Sequence, residues 1–273
     1  MLAADDGSRY ALPVTTDMPD NQAEHTRQTR EAYDRLASVW SSTTDEGPFN
    51  GLLERPALRA LVPGGVHGGA VLDAGCGSGA QARWLLDQGA DVVAVDVSSR
   101  MIEEAERRCA GRGRFLVADL AEPLPLEPGS LDGITCSLAL HYVADWSVPL
   151  RSFASALRPG GWAVISLDHP FGPATQYQRG GYFDTELVSD TWRKAGVEVT
   201  QHFWRRPLSA VFGECAEDSR QGPAPDVLCH FHSGLAPGIG DQLGVEVAAT
   251  LVLGGRPERV VKGNDSPAAG AQG

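Results

Sequence analysis

"VLDAGCGSGA", Val71 to Ala80, is a short apolar run that enters a glycine-rich turn and then a helix-forming segment. A strand turning through glycines into a helix is the opening unit of a parallel α/β sheet, and its loop lies beyond the strand's C-terminal end, where such sheets bind ligands. Gly75, Gly77 and Ala80 satisfy the dinucleotide pattern G-x-G-x-x-G/A and also fit a nucleoside pattern with a different chemistry. The loop alone leaves both open. The acid two residues before the first glycine separates them, because Asp73 would repel a pyrophosphate and attract an ammonium group.

From this loop, strand and helix patterns alternate up to Asp168. "AVLDAG" reads as a strand, "AQARWLLDQG" as a helix closed by Gly89, "DVVAVDVS" as a second strand and "SRMIEEAERRCA" as a second helix stopped by Gly111. "RFLVADL", the Pro-rich loop "AEPLPLEPG", the strand "GITCSLAL", the helix "WSVPLRSFASAL" and the strand "WAVISLD" follow. Short, mostly unalternating apolar strands between helices predict a Rossmann-like parallel sheet covered on both faces.

Two flanks depart from that rhythm. From Asn21 a helix pattern places Tyr33, Leu36, Ala37 and Trp40 on one apolar face, which suits a helix packed on the body or a helical lid over a pocket. After Asp168, "VEVTQHFWR" reads as a strand of an antiparallel insertion and "PLSAVFGECAE" as a Pro-started helix, while "VEVAATLVL" supplies a final strand. The expected organisation is a mobile arm over 1–20, a helical lid over 21–62 and a ligand-binding core over 63–170. An acceptor-side insertion and C-terminal part of the same domain would take 171–258, with a disordered tail over 259–273.

The 273 residues carry 35 acids against 23 Lys and Arg, a formal net charge of -12, which argues against a nucleic-acid partner held through a positive field. No apolar run approaches the ~18 residues of a membrane span, and "MLAADDGSRY" lacks a signal-peptide pattern, so no membrane partner and a cytoplasmic location are expected. Five cysteines without a C-x-x-C pair fit a reducing compartment, with Cys76, Cys109 and Cys136 as small core residues. The "CHFH" run, Cys229 to His232, matches no standard zinc spacing, and no metal is assigned. A terminal aromatic helix could be exchanged between subunits, one route to a homo-oligomer.

At the other strand ends, Asp96 stands where an acid accepts from ribose hydroxyls, a feature common to both loop readings. Asp119 beside Leu120 could accept from an adenine amine while the neighbouring amide donates to the ring, or could simply cap a loop.

Taken in order, "VLDAGCGSG", "VVAVDVS", "VADL", "LDGITCSLALHYVADW" and "LRPGGWAVIS" resemble the motifs of class I S-adenosylmethionine-dependent methyltransferases. "AYDRLASVW", "ALHYVADW", "SLDHP" and "WRRPLS" are similar to small-molecule methyltransferases of the Methyltransf_11 type. The resemblance spans about Ala32 to Val211 and implies a seven-stranded sheet whose last strand is antiparallel. It implies S-adenosyl-L-methionine as cofactor, with Asp73 and the loop Gly75, Cys76, Gly77 and Gly79 at its methionine end. Asp96 would hold the ribose and Asp119 with Leu120 the adenine; Val97, Ser98 and Met101 would flank the nucleoside, and Ser137 would lie near the methyl group. From Asp218 to Gly244 the family pattern is absent.

Methyl transfer to an oxygen or a phenol carbon needs a base, and His141 and His169, which follow the fourth and fifth strands, are the catalytic candidates, with Asp168 placed to orient an imidazole. The bland alternative is a hydrogen-bonded structural histidine. Tyr142, Trp146, Phe171, Tyr177, Tyr182, Phe183, Trp192, Phe203 and Trp204 fall on the acceptor side, which suits a hydrophobic small molecule such as a secondary metabolite. The same aromatics would suit C-methylation of an alkene or prenyl chain through a carbocation. A nicotinamide-dependent oxidoreductase and a catalytically silent nucleoside-binding protein remain the competing classes.

Overall fold

The computed structural model describes residues 21–44, 47–168, 181, 183–211, 227–228 and 248–254. Asn21 caps the first helix, α1 (Gln22–Thr43), by accepting from the Glu24 amide at 3.0 Å. A π-helical turn (Pro48–Glu54) and α2 (Arg55–Leu61) lead to the first strand.

The alternating core follows as β1 (Ala70–Ala74), α3 (Ala80–Asp87), β2 (Asp91–Asp96), α4 (Ser99–Arg108), β3 (Arg114–Val117), β4 (Leu131–Ser137), α5 (Ser147–Ala156) and β5 (Leu157–Asp168). Then come the hairpin strands β6 (Glu186–Lys194) and β7 (Val197–Arg205), and finally β8 (Val227–Leu228) and β9 (Ala248–Gly254). The seven-stranded sheet runs β3-β2-β1-β4-β5-β9-β8, parallel through β5, with β9 antiparallel to β5, as the resemblance implied. The order reverses direction beside β1, so β1 and β4 flank the crevice in which such sheets bind ligands.

Burial explains the layering. Leu72, Ile134 and Ile165 on the strands and Phe153 on α5 have no solvent exposure; each such side chain contributes about 1.5–3 kcal/mol relative to remaining exposed. On the other face Val71, Ala82, Leu85, Ile102, Ala105 and Cys109 join β1, α3 and α4. Cys76, Cys109 and Cys136 are buried free thiols, in keeping with a core role; Cys215 and the "CHFH" run lie outside the described residues.

The flanks converge over the strand ends. Leu36 and Ala37 of α1 pack with Met101 of α4 and Val199 of β7, so the apolar face of α1 is partly core. His25 is hydrogen-bonded through Nε2 to the His202 carbonyl at 2.7 Å, and Arg35 donates to the Glu198 carbonyl at 2.8 Å, fastening α1 to β7. Ser98 donates to Asp34 at 2.6 Å, fastening α1 to α4. Arg206 donates to the Val143 carbonyl at 3.0 Å and lies 4.5 Å over the Trp146 ring, tying the end of the hairpin to the segment after β4.

Two boundaries differ from expectation. The third strand stops at Val117 because Asp119 Oδ1 accepts from the Ala121 amide at 2.9 Å and turns the chain. β5 begins at Leu157 and carries an irregularity at "RPGG", where Leu131 and Gly133 of β4 pair with Leu157 and Trp162. The short strand β8 falls in the stretch where the sequence showed no period.

Candidate active site

β1 ends in a loop whose geometry depends on its glycines. Gly75 has φ +71°, and a Cβ there would stand 2.3 Å from Ala139 Cβ, so the loops after β1 and β4 meet where only glycine fits. Gly79, at φ +80°, would place a Cβ 2.8 Å from Ala105 and so lets α3 pack on α4. Within the loop, Gly75 and Cys76 donate to the Val95 carbonyl at 2.8 and 2.9 Å, Gly77 donates to Asp96 at 2.8 Å, and Gly79 donates to the Cys76 carbonyl at 3.0 Å. Four amides that a pyrophosphate would need are therefore committed internally.

Asp73 at the end of β1 is 1 % exposed. Its Oδ1 accepts from the Thr135 hydroxyl at 3.0 Å, and the Ala82 amide also faces the carboxylate, whereas Oδ2 is buried without a hydrogen bond of good geometry among the described residues. Burial pushes this carboxyl up to about 7. An orphaned buried acceptor is costly until a donor reaches it, and a positively charged donor satisfies it best. The donor set thus fits the ammonium of an amino acid moiety and does not fit a diphosphate.

Asp96 at the end of β2 accepts from Gly77 and, through Oδ1, from the Ser98 amide at 2.9 Å. Each oxygen keeps a lone pair for a hydroxyl donor. Burial pushes its carboxyl up to about 6.

A cavity of about 550 Å³ joins these strand ends. Of the expected cofactor residues, Asp73, Gly75, Cys76, Gly77, Asp96, Val97, Asp119, Leu120 and Ser137 line it. Gly79 and Met101 are not among its lining residues. The packing of Gly79 on Ala105 and of Met101 beneath α1 accounts for both placements. Ser98 acts as the cap of α4, accepting from Met101 at 3.0 Å.

Behind Ser137 lies a buried carboxylate that sequence inspection missed. Glu54, from the π-helical turn, accepts from Ser137 at 2.8 Å and from Ser166 at 2.5 Å, and burial pushes its pKa up. Ser166 in turn accepts from the Leu138 amide at 3.1 Å, holding Leu138 at φ +50°. Sequence spacing gave no cue to a contact across 83 and 112 residues.

The roof over the cavity is aromatic. Trp40 stacks on Trp192 with ring centroids 5.7 Å apart, and Tyr33 presents edges to both at 5.4 and 6.4 Å. The Tyr33 and Tyr142 hydroxyls lie 2.9 Å apart. His141 sits against Tyr142 and Phe203 with centroids at 4.5 and 5.5 Å. Trp204 also lines the cavity. Trp146 instead is core, its indole donating to the Leu140 carbonyl at 2.9 Å, and Phe183 is exposed. Phe171, Tyr177, Tyr182 and the catalytic candidate His169 lie outside the described residues.

His141 lines the cavity with its side chain 8 % exposed, and its Nδ1 lies 3.9 Å from Asp168 Oδ2. Burial, with Arg206 and His25 nearby, lowers its pKa to about 3, so the ring is neutral. Asp168 keeps 39 % of its side-chain exposure, and partial desolvation at the cavity wall together with the neighbouring Asp190 pushes it up. Asp168 therefore lies beside His141 at the cavity wall without forming a hydrogen bond to it.

Residues 72–165 match a family model described as a methyltransferase domain, Methyltransf_11. The core is a class I methyltransferase domain. The domain's family uses S-adenosyl-L-methionine. A demethylmenaquinone methyltransferase from Clavibacter sepedonicus is 37 % identical over 136 residues, 49 % of this chain and 52 % of the relative. A ubiquinone biosynthesis O-methyltransferase from Xanthomonas campestris pv. campestris is 27 % identical over 159 residues, 54 % of this chain and 65 % of that protein. The chain spans about half the length of the first of these curated relatives.

Among solved structures, an S-adenosylmethionine dependent methyltransferase from Mesorhizobium loti aligns with TM-score 0.56 and 26 % identity, covering 74 % of this chain and 98 % of that one. The DhpI-SAM-HEP complex aligns with TM-score 0.61 and 20 % identity over 88 % of this chain and 100 % of the other, a likeness of fold. The methyltransferase-domain match covers the ends of β1 to β4 but not the end of β5, α1 or the β6–β7 hairpin, so the roof is specified outside it.

Proposed function

We propose that the chain transfers a methyl group from S-adenosyl-L-methionine to a hydrophobic small molecule held between the strand ends and the aromatic roof. The observation that carries this reading is Asp73 Oδ2, a buried acceptor without a well-formed hydrogen bond, in the wall of the cavity that Asp96 and Asp119 also line. Asp73 would take the ammonium of the donor, Asp96 the ribose hydroxyls, and Asp119 with Leu120 the adenine, with Val97 against the nucleoside. When bound, the donor supplies a methyl carbon already activated by its sulfonium.

The chain then has chiefly to align the acceptor and exclude water, which lowers such barriers by about 7–11 kcal/mol when the geometry is right. Tyr33, Trp40, Tyr142 and Trp192, which line the cavity on its aromatic side, serve exclusion. Glu54 acts as a positioning residue by holding Ser137 and, through Ser166, the turn at Leu138. A histidine whose pKa is near 3 is a poor proton acceptor at neutral pH, so His141 orients the acceptor through its neutral ring. Asp168, whose pKa is pushed up, is the better matched group to take a proton from it.

The test is calorimetric titration of the full chain with S-adenosylhomocysteine and, separately, with NAD. One S-adenosylhomocysteine per chain and no heat with NAD is the expected result. Saturable NAD binding without a response to S-adenosylhomocysteine would overturn the reading.

A further inference from the structure

The cavity holds more negative charge than the donor alone requires. Five carboxylates line it: Asp73, Asp96, Asp119, Asp168 and Asp190. The first three stand at the donor positions, which leaves Asp168 and Asp190 on the acceptor side. Among the described residues neither of these two is paired with a lysine or arginine; Asp190 accepts from the Trp192 indole at 2.8 Å, and Asp168 has only the neutral His141 at 3.9 Å.

The cations that line the same cavity are engaged elsewhere. Arg193 donates to Glu198 at 2.5 Å, and Arg205 donates to Glu186 at 3.2 Å and to the carbonyls of Gly181 and Asp184. Arg55 interacts with Glu54. Lys194 donates to Thr44 at 3.1 Å and holds its ammonium 4.4 Å over Trp40 and 5.6 Å over Trp192. The roof thus already cradles one ammonium on its aromatic faces, the contact a cationic ligand would use.

His141 supplies an independent sign. Its side chain is 8 % exposed, it lines the cavity, and its Nδ1 has no hydrogen-bond partner. In the tautomer with the proton on Nε2, Nδ1 is a lone-pair acceptor that faces a second acceptor, Asp168 Oδ2, at 3.9 Å. Two acceptors at that spacing are both satisfied by one group with several N–H donors. An alcohol has a single proton to give, and a carboxylate has none.

Resting on the donor assignment above, we infer that the acceptor is an amine that enters as its ammonium form, seated by Asp168, Asp190 and His141 beneath the aromatic faces of Tyr142 and Phe203, and that it gives one N–H proton to Asp168 so that the freed lone pair forms the N–C bond as the methyl C–S bond breaks and S-adenosylhomocysteine leaves. The sites for donor and acceptor then both read positive charge, each with its own carboxylate.

The test uses the full chain saturated with S-adenosylhomocysteine. The probes are tetramethylammonium and three phenols that differ only in the end group: tyramine, tyrosol and 4-hydroxyphenylacetate. Tyramine should bind at least ~10-fold more tightly than tyrosol, with 4-hydroxyphenylacetate weakest, and tetramethylammonium should compete with tyramine. Asp190→Asn, which keeps an acceptor for Trp192, should weaken tyramine ~10-fold or more and leave S-adenosylhomocysteine affinity unchanged. Equal or tighter binding of tyrosol or the acid, no binding by either cation, or an unchanged tyramine affinity in Asp190→Asn would overturn the inference. Failure of S-adenosylhomocysteine itself to bind would instead remove the donor reading, and this inference with it.

Discussion

The floor and the roof of the cavity are built by opposite means. The floor comes from the ends of β1 and β2 and the turns after β3 and β4, and two of its acids are held by nearby backbone amides, Asp96 by Gly77 and Ser98 and Asp119 by Ala121, while Asp73 is held by the Thr135 hydroxyl of the adjoining strand. The roof comes from α1 and the β6–β7 hairpin, which are distant in sequence and meet through side chains such as Trp40, Trp192 and Lys194. Backbone-fixed groups are placed to within a rotamer whatever the ligand, whereas a side-chain roof can be re-cut without disturbing the sheet. A protein divided this way keeps one donor and changes acceptors by changing its roof.

The comparison breaks first at Asp96. Asp96→Ala removes the acceptors for both Gly77 and Ser98 as well as for ribose, and calorimetry should show S-adenosylhomocysteine affinity falling by about 100-fold, two charge-assisted bonds' worth. An unchanged dissociation constant would refute the ribose role. Gly75→Ala tests whether the floor is as rigid as its contacts imply. With φ +71° and a Cβ 2.3 Å from Ala139, the substitution should cost about 2–3 kcal/mol, a fall of roughly 5–10 °C in melting temperature.

The roof should respond differently. Trp40→Ala takes away the partner of Trp192 and the seat of Lys194. Donor affinity should change by less than ~3-fold while turnover of any identified acceptor falls ~10-fold or more. Equal losses in both would merge floor and roof into one functional unit.

The smallest effect concerns pH. Asp73, near 7, and Asp96, near 6, hold protons more tightly in the folded protein than in the unfolded chain. Their contribution to stability is complete below the unfolded pKa, ~4, and is lost as pH rises through 6 to 7. The melting temperature of the ligand-free protein should therefore decline across that window, and Asp73→Asn should flatten the decline. Because an ammonium selects the ionised form of Asp73, S-adenosylhomocysteine should bind more tightly as pH rises through the same range.

How much of this was legible in the sequence follows the same division. The strand-loop-helix periods and the position of Asp73 before the glycines are local signals that mark the core strands and the loop, and the family resemblance built on them named the eleven expected cofactor residues, nine of which line the cavity. Gly79 and Met101 also sit in local motifs, but there the helix contacts to Ala105 and α1 claim the residue, and spacing cannot tell a lining position from a packing one. On the roof, Tyr33 and Trp40 were legible only as one face of a helix. Asp190, Trp192 and Lys194 lie on β6, where five consecutive residues from Asp190 to Lys194 all line the cavity and burial does not alternate, so no period of two marked this strand in the sequence. Glu54 carried no local signal, because its partners are set by tertiary folding alone.

The most direct measurement is a crystal structure of the full chain with S-adenosylhomocysteine. The account predicts its amino group about 3 Å from Asp73 Oδ2, with the ribose hydroxyls on Asp96 and the adenine beside Asp119 and Leu120. A nucleoside bound elsewhere, or bound in the cavity with Asp73 Oδ2 still lacking a donor, would contradict it.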